Sequence, residues 1–136
     1  MSAIVEKEEC RKVELILTGL EKATSLYALE SYKAYIGFRK KTAKGFEGLM
    51  KSIFVELKST IRQMKKGSIL SENDLHNLIS SLSFLKKYFL NDQYLSPEDN
   101  IKFKRDIARI DGIFDKIKSL IESNKELIGL KYLLPY

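Results

Sequence analysis

The residues whose type and spacing could do chemistry are lysines. Lys44, Lys51, Lys58 and Lys65 recur at intervals of seven, and Arg62 stands four beyond Lys58. At 100° per residue, a helix through them gathers all five cations within about 60° of one another, in a ladder about 30 Å long. A ladder of that kind neutralises a row of phosphates and displaces their counterions without reading bases. Lys40 and Lys41 extend it, so Lys40, Lys41, Lys44, Lys51, Lys58, Arg62 and Lys65 are the expected contacts to the backbone of DNA or RNA. The competing role for these lysines is a solvated helix face that serves helix propensity and solubility. Just upstream, Tyr27, Tyr32, Tyr35 and Phe38 offer stacking surface for unpaired bases wherever the rings are exposed. Tyr27, Tyr35 and Phe38 keep the apolar register of their helix, which points them to the core, whereas Tyr32 leaves it and is the expected exposed ring.

Charge is distributed unevenly in the same sense. The chain has 136 residues and a formal charge of +6. Between Lys33 and Lys66 stand ten basic residues against two acidic ones, Glu47 and Glu56, and the remainder holds 14 basic and 16 acidic. All the excess positive charge thus lies in one quarter of the chain, which points to an anionic partner.

Residue types suited to catalysis are scarce. His76 is the only histidine, which removes paired-histidine metal sites and the Glu-x-x-His pairs of di-iron bundles, and its polar setting predicts a surface position. Cys10 is the only cysteine, lies among Glu8, Glu9, Arg11 and Lys12, and has no sequence-adjacent histidine to activate it. Gly45-Phe46-Glu47-Gly48 is too short for a phosphate loop and reads as helix punctuation. Asp106, Asp111 and Asp115 share a helical stretch that could hold a divalent cation, but Lys102, Arg105, Arg109, Lys116 and Lys118 interleave with them as on a salt-bridged face. No catalytic residue, cofactor or metal site is expected, and the reading is of a non-enzymatic protein.

The elements that must position the ladder are helices. Proline occurs only at Pro97 and Pro135, and apolar residues recur at three and four. A first helix is expected from near residue 5 to near residue 40, with Val13, Ile16, Leu17, Leu20, Ala23, Tyr27, Ala34 and Phe38 as its buried stripe. Residues 39–45 form the expected loop, with Thr42 a candidate N-cap. The second helix carries Phe46, Leu49, Met50, Ile53, Leu57, Ile61 and Met64 inward and stops at Gly67 with a left-handed cap. Ser71 and Asp74 form a capping-box variant that opens a third helix bearing Leu75, Leu78, Ile79, Leu82, Leu85 and Phe89, ending near Asn91-Asp92. Ser96-Pro97-Glu98-Asp99 opens a fourth, striped by Phe103, Ile107, Ile110, Phe114, Ile117, Ile121 and Ile128 and closed by Gly129. Its broad face, widened by Ile113, Leu120 and Leu127, suits contact with more than one neighbour.

The expectation is therefore a single all-α domain over 1–136, an antiparallel helical bundle of about four helices, or three if the first two segments form one kinked rod. Residues 130–136 make an apolar tail in which Tyr132, Leu133, Leu134 and Tyr136 either pack back as a lid or dock on a partner protein. With no uncharged run long enough for a membrane span, acidic residues before any apolar leader and one lone thiol, a cytoplasmic location is expected. Two functions fit: a non-catalytic nucleic-acid-binding or nucleoprotein-complex subunit, or a structural adaptor working through helix contacts, as a homodimer for example.

Overall fold

A computed structural model of the chain describes residues 12–42, 44–90 and 97–134. Two short strands and four long helices follow in the order β1 (Lys12–Glu14), α1 (Gly19–Thr42), α2 (Glu47–Lys66), β2 (Ile69–Ser71), α3 (Glu72–Leu90) and α4 (Pro97–Ser123), and a 3-10 helix spans Lys125–Leu133. The all-α expectation stands, with α1 and α2 as two separate helices. Among the described residues no helix is long and apolar enough to cross a membrane.

The first helix starts later than its sequence stripe predicts. Residues 12–18 are not helical, and residues 5–11 lie outside the described residues. Lys12, Glu14, Ile16 and Thr18 are exposed while Val13, Leu15 and Leu17 turn inward, so the period there is two, the mark of an extended chain. β1 pairs antiparallel with β2 (Lys12 with Ser71, Val13 with Leu70, Glu14 with Ile69), and the Leu15 amide adds a bond to the Ser68 carbonyl at 2.9 Å. The start of α1 is set by a reciprocal capping box. The Thr18 amide donates to Glu21 Oε1 at 2.9 Å, and the Glu21 amide donates to Thr18 Oγ1 at 3.1 Å.

The buried stripe of α1 is also different. Ser25, Ala28, Leu29 and Ile36 are buried, with Leu26 and Tyr32 half-buried, whereas Leu20, Ala23, Tyr27, Ala34 and Phe38 are exposed. Small residues explain the inversion. Ser25 and Ala28 are fully buried beside Leu29 and Ile36, so the side of α1 that faces the core is the one carrying small residues, and several larger apolar side chains are left on the outside.

α1 and α3 form the middle of the molecule, and each packs against both α2 and α4. Leu57, Ile61 and Met64 of α2, Leu75, Leu78, Ile79, Leu82 and Leu85 of α3, and Ile110, Ile113, Phe114, Ile117 and Ile121 of α4 fill the core between them. The Ser71/Asp74 capping box is present: the Ser71 amide donates to Asp74 Oδ2, and the Asp74 amide donates to Ser71 Oγ, both at 3.1 Å. The other Asp74 oxygen accepts from Thr60 Oγ1 at 2.7 Å, and Thr60 Oγ1 accepts from Asn77 Nδ2 at 3.0 Å. This buried network ties α2 to the first turn of α3, which fixes the rotation of α2 about its axis.

Helix ends depart from expectation in three places. Thr42 stays inside α1, its hydroxyl turned back toward the Phe38 and Arg39 carbonyls, and the chain reverses at Gly45, whose φ of +87° favours glycine. Gly67 is extended (φ 170°), so α2 ends without a left-handed cap. α4 ends at Ser123, where Asn124 Nδ2 donates to the Leu120 carbonyl at 2.8 Å; Ile128 and Gly129 therefore belong to the 3-10 helix, and Ile128 is exposed. Pro97 opens α4 as its type predicts, while Ser96, Asn91, Asp92, Cys10, Tyr136 and the Phe89 and Phe103 side chains lie outside the described residues.

Candidate functional site

α2 positions the cation ladder by its inner face. Leu57, Thr60, Ile61 and Met64 are buried, Met50 and Ile53 are half-buried, and Lys51, Lys58, Arg62 and Lys65 are exposed on the outer side, whereas Lys44, expected as the first rung of the helix, lies exposed in the turn before α2 begins at Glu47. Phe46 and Leu49, expected inward, are exposed instead, because the first turn of α2 projects past the core beside the reversal at Gly45. None of the five cations forms an ion pair within 4 Å among the described residues. Of the two carboxylates of α2, Glu47 is turned to its own helix start, accepting from the Gly45 amide at 3.0 Å. The electrostatic consequence is a row of unneutralised positive charge about 21 Å long on α2, from Lys51 to Lys65, with Lys44 beyond its start.

The neighbouring helix widens this face. Arg39 and Lys41 at the end of α1 are exposed, and Lys40 is half-buried with its ammonium 5.0 Å from the centre of the Phe54 ring. Lys33 and Lys58 approach the same ring, each at 5.9 Å. Phe54 sits against α1 at Gly37, where an added Cβ would lie 3.2 Å from the ring edge. The glycine is therefore what lets the ring lie in the groove between the two helices. Lys33 and Phe54 were not legible as site residues. The seven-residue spacing of Lys33 and Lys40, matching that of the α2 ladder, is the signal that would have found the lysine.

The aromatic expectation is reversed. Tyr27, Tyr35 and Phe38 are exposed, while Tyr32 is half-buried against Phe84 of α3, ring centres 5.2 Å apart. Burial, together with the neighbouring Tyr35, pushes the Tyr32 phenol above its ordinary value. Tyr35 also packs on Phe84, at 5.0 Å, so the rings left with most free surface on α1 are Tyr27 and Phe38.

Asp106 and Asp111 of α4 are engaged. Asp106 accepts from Arg109 at 3.1 Å within α4, and Asp111 accepts from Lys86 of α3 at 2.6 Å. Lys116 of α4 pairs with Glu21 of α1. Partial burial works against the ionised Glu21, but the Lys116 ammonium and the Thr18 amide and hydroxyl outweigh it and hold the carboxyl below its ordinary value. His76 is exposed, and among the described residues no group of three or more His, Cys, Asp or Glu is placed to hold a metal ion.

The tail divides. Leu134 joins Leu127 and Leu130 in the core, Leu133 is partly exposed, and Tyr132 is 88% exposed. Leu134 is thus a packing residue, and of the described tail residues Tyr132 offers the most surface to a partner, beside a cleft of about 370 Å³ that Lys118 and Lys131 also line.

Comparison with protein-family models, curated proteins and solved structures returns no match for this chain.

Proposed function

We propose that the protein is a non-catalytic subunit that binds nucleic acid along its phosphate backbone, through the outer face of α2 and the end of α1. The observation that carries this reading is the row of exposed cations Lys44, Lys51, Lys58, Arg62 and Lys65, none of them in an ion pair among the described residues. Such a face recognises charge and spacing, not base identity, so binding is sequence-tolerant and steeply salt-dependent. The exposed rings of Phe38 and Phe46 near the same end of the hairpin suit contact with unpaired bases.

The test is a titration of the protein against single- and double-stranded DNA and RNA at several salt concentrations. Binding should weaken linearly on a log-log plot, and Lys51→Glu/Lys58→Glu should cost about 50-fold near 0.1 M salt, from two lost phosphate contacts. An absence of binding at low salt ends this reading.

One observation favours the adaptor role as a second reading. The outer face of α1 leaves Leu20, Tyr27 and Phe38 exposed, an apolar stripe suited to another helix. Under that reading light scattering gives twice the monomer mass, and Tyr27→Glu returns it to monomer.

A further inference from the structure

The ladder explains why an anion is attracted, but not why three lysines from two helices converge on one ring. Lys33 and Lys40 belong to α1 and Lys58 to α2, and their ammonium groups lie 5.9, 5.0 and 5.9 Å from the centre of Phe54. No two of the three can then be more than about 12 Å apart. Glu30, 3.2 Å from Lys33, is the one carboxylate paired with any of them among the described residues. Lys40 and Lys58 have no such partner. Three like charges gathered within about 12 Å repel one another, and a ring quadrupole offsets only part of that repulsion. A compact anion with several acceptor oxygens would offer all three a partner once their flexible stems turn toward it.

Resting on the nucleic-acid reading, we infer that Lys33, Lys40 and Lys58 form a seat for a single backbone phosphate in the groove between α1 and α2, with Phe54 as its floor. The ring is half-buried and apolar, so it keeps water from one side of the seat and strengthens each charge-assisted hydrogen bond made above it. Gly37 makes the floor possible by letting Phe54 lie on the α1 backbone. The outer lysines, spaced seven residues apart along α2, each meet a different phosphate, whereas the seat concentrates three cations on one. It therefore fixes where the strand begins its path along the ladder.

This difference can be measured, because the salt dependence of binding counts phosphates neutralised, not cations present. Oligothymidine long enough to span the ladder is titrated into the protein and into two triple variants that lose the same charge. Lys44→Gln/Lys51→Gln/Lys65→Gln strips the outer ladder and should lower the log-log salt slope by about 2, with a loss of about 100-fold near 0.1 M salt that shrinks to about fourfold near 0.5 M. Lys33→Gln/Lys40→Gln/Lys58→Gln strips the seat and should lower the slope by only about 0.7, with a loss of about 30-fold near 0.1 M that persists at about tenfold near 0.5 M. Phe54→Leu, which changes no charge, should weaken binding about fivefold with the slope unchanged.

A seat variant whose slope falls by about 2 shows three independent contacts and overturns the seat while leaving the ladder reading intact. Unaltered binding by Phe54→Leu, with its melting curve showing a folded protein, likewise overturns the floor and with it the seat. Failure of the unmodified protein to bind any oligonucleotide at low salt, including the case in which it binds only vesicles containing phosphatidylserine, overturns both the seat and the reading on which it rests.

Discussion

α2 and α4 lie on opposite flanks of the α1 and α3 pair and carry similar numbers of cations to different effect. α2 has five basic residues against two acidic, and α4 has six of each. On α4 several charges are engaged in ion pairs: Asp111 reaches Lys86 of α3, Arg109 is taken by Asp106 in its own helix, and Lys116 crosses to Glu21 of α1. On α2 the attachment is made by an uncharged inner face and by the Thr60–Asp74–Asn77 network, leaving the outer cations unspent. The difference teaches that a basic face is defined by what its charges are not doing. Counting lysines would have rated the two helices alike.

Substitutions on the two flanks should therefore move different observables. The largest effect belongs to the α4 core, where Phe114 is fully buried. Phe114→Ala should lower unfolding stability by about 4 kcal/mol through lost burial and a cavity. Denaturant melts measure it, and a loss below about 1 kcal/mol would mean that α4 is only loosely packed.

Next in size is the charge contrast itself. Lys51→Glu/Lys58→Glu on α2 should cost about 50-fold in nucleic-acid affinity near 0.1 M salt while leaving the melting curve almost unmoved. Lys102→Glu/Lys104→Glu makes the same change of charge among exposed positions of α4 and should cost only about threefold, through long-range field alone. Equal losses would show that net charge, and not the α2 face, governs binding.

Much of this organisation was legible from residue types. The third helix and its Ser71/Asp74 cap follow from a clean three-four period with a polar start, and the α2 ladder follows from sevenfold spacing beside a strongly apolar side. The core side of α1 is hard to read because its buried face mixes the small residues Ser25 and Ala28 with Leu29 and Ile36, while Leu20, Tyr27 and Phe38 imitate a core stripe on the solvent side. Hydrophobic periodicity weights large apolar side chains and passes over small or polar residues such as Ser25 that are nonetheless buried. β1 was missed because seven residues of alternation, Lys12 to Thr18, were absorbed into an expected helix; the Thr18-Gly19-Leu20-Glu21 capping box marks the true start and was there to be read. The seat around Phe54 was beyond reach, since it joins Lys33 and Lys40 to Lys58 across a helix hairpin whose rotation only the fold defines.

A smaller effect tests how α1 is held by α4. Glu21 caps its own helix and accepts from Lys116, and its carboxyl is held below the ordinary value of 4.5. A depressed folded-state value means that its contribution is fully present above about pH 4.5 and is lost as pH falls through the folded value. Glu21→Gln should therefore cost about 1 kcal/mol near neutral pH and flatten the acid side of the stability profile. Urea melts between about pH 3 and about pH 7 provide the measurement. A variant whose deficit stayed constant down to the acid limit would show that packing of the side chain, and not its charge, joins the two helices.

The smallest effect falls on the middle of the molecule, at Ser25. Its hydroxyl is fully buried with no hydrogen-bond partner, at a position with no room open to solvent. Alanine keeps the side chain small, removes an unsatisfied polar group and has the higher helix propensity. Ser25→Ala should raise stability by about 0.5 kcal/mol and leave nucleic-acid affinity unchanged on both flanks. Ser25→Leu should do the opposite on stability, because it adds volume at a fully buried position. Destabilisation by alanine would mean that the hydroxyl finds a partner in solution, a bound water or the carbonyl one turn back. The small-residue contact would then owe its stability to a hydrogen bond as well as to size.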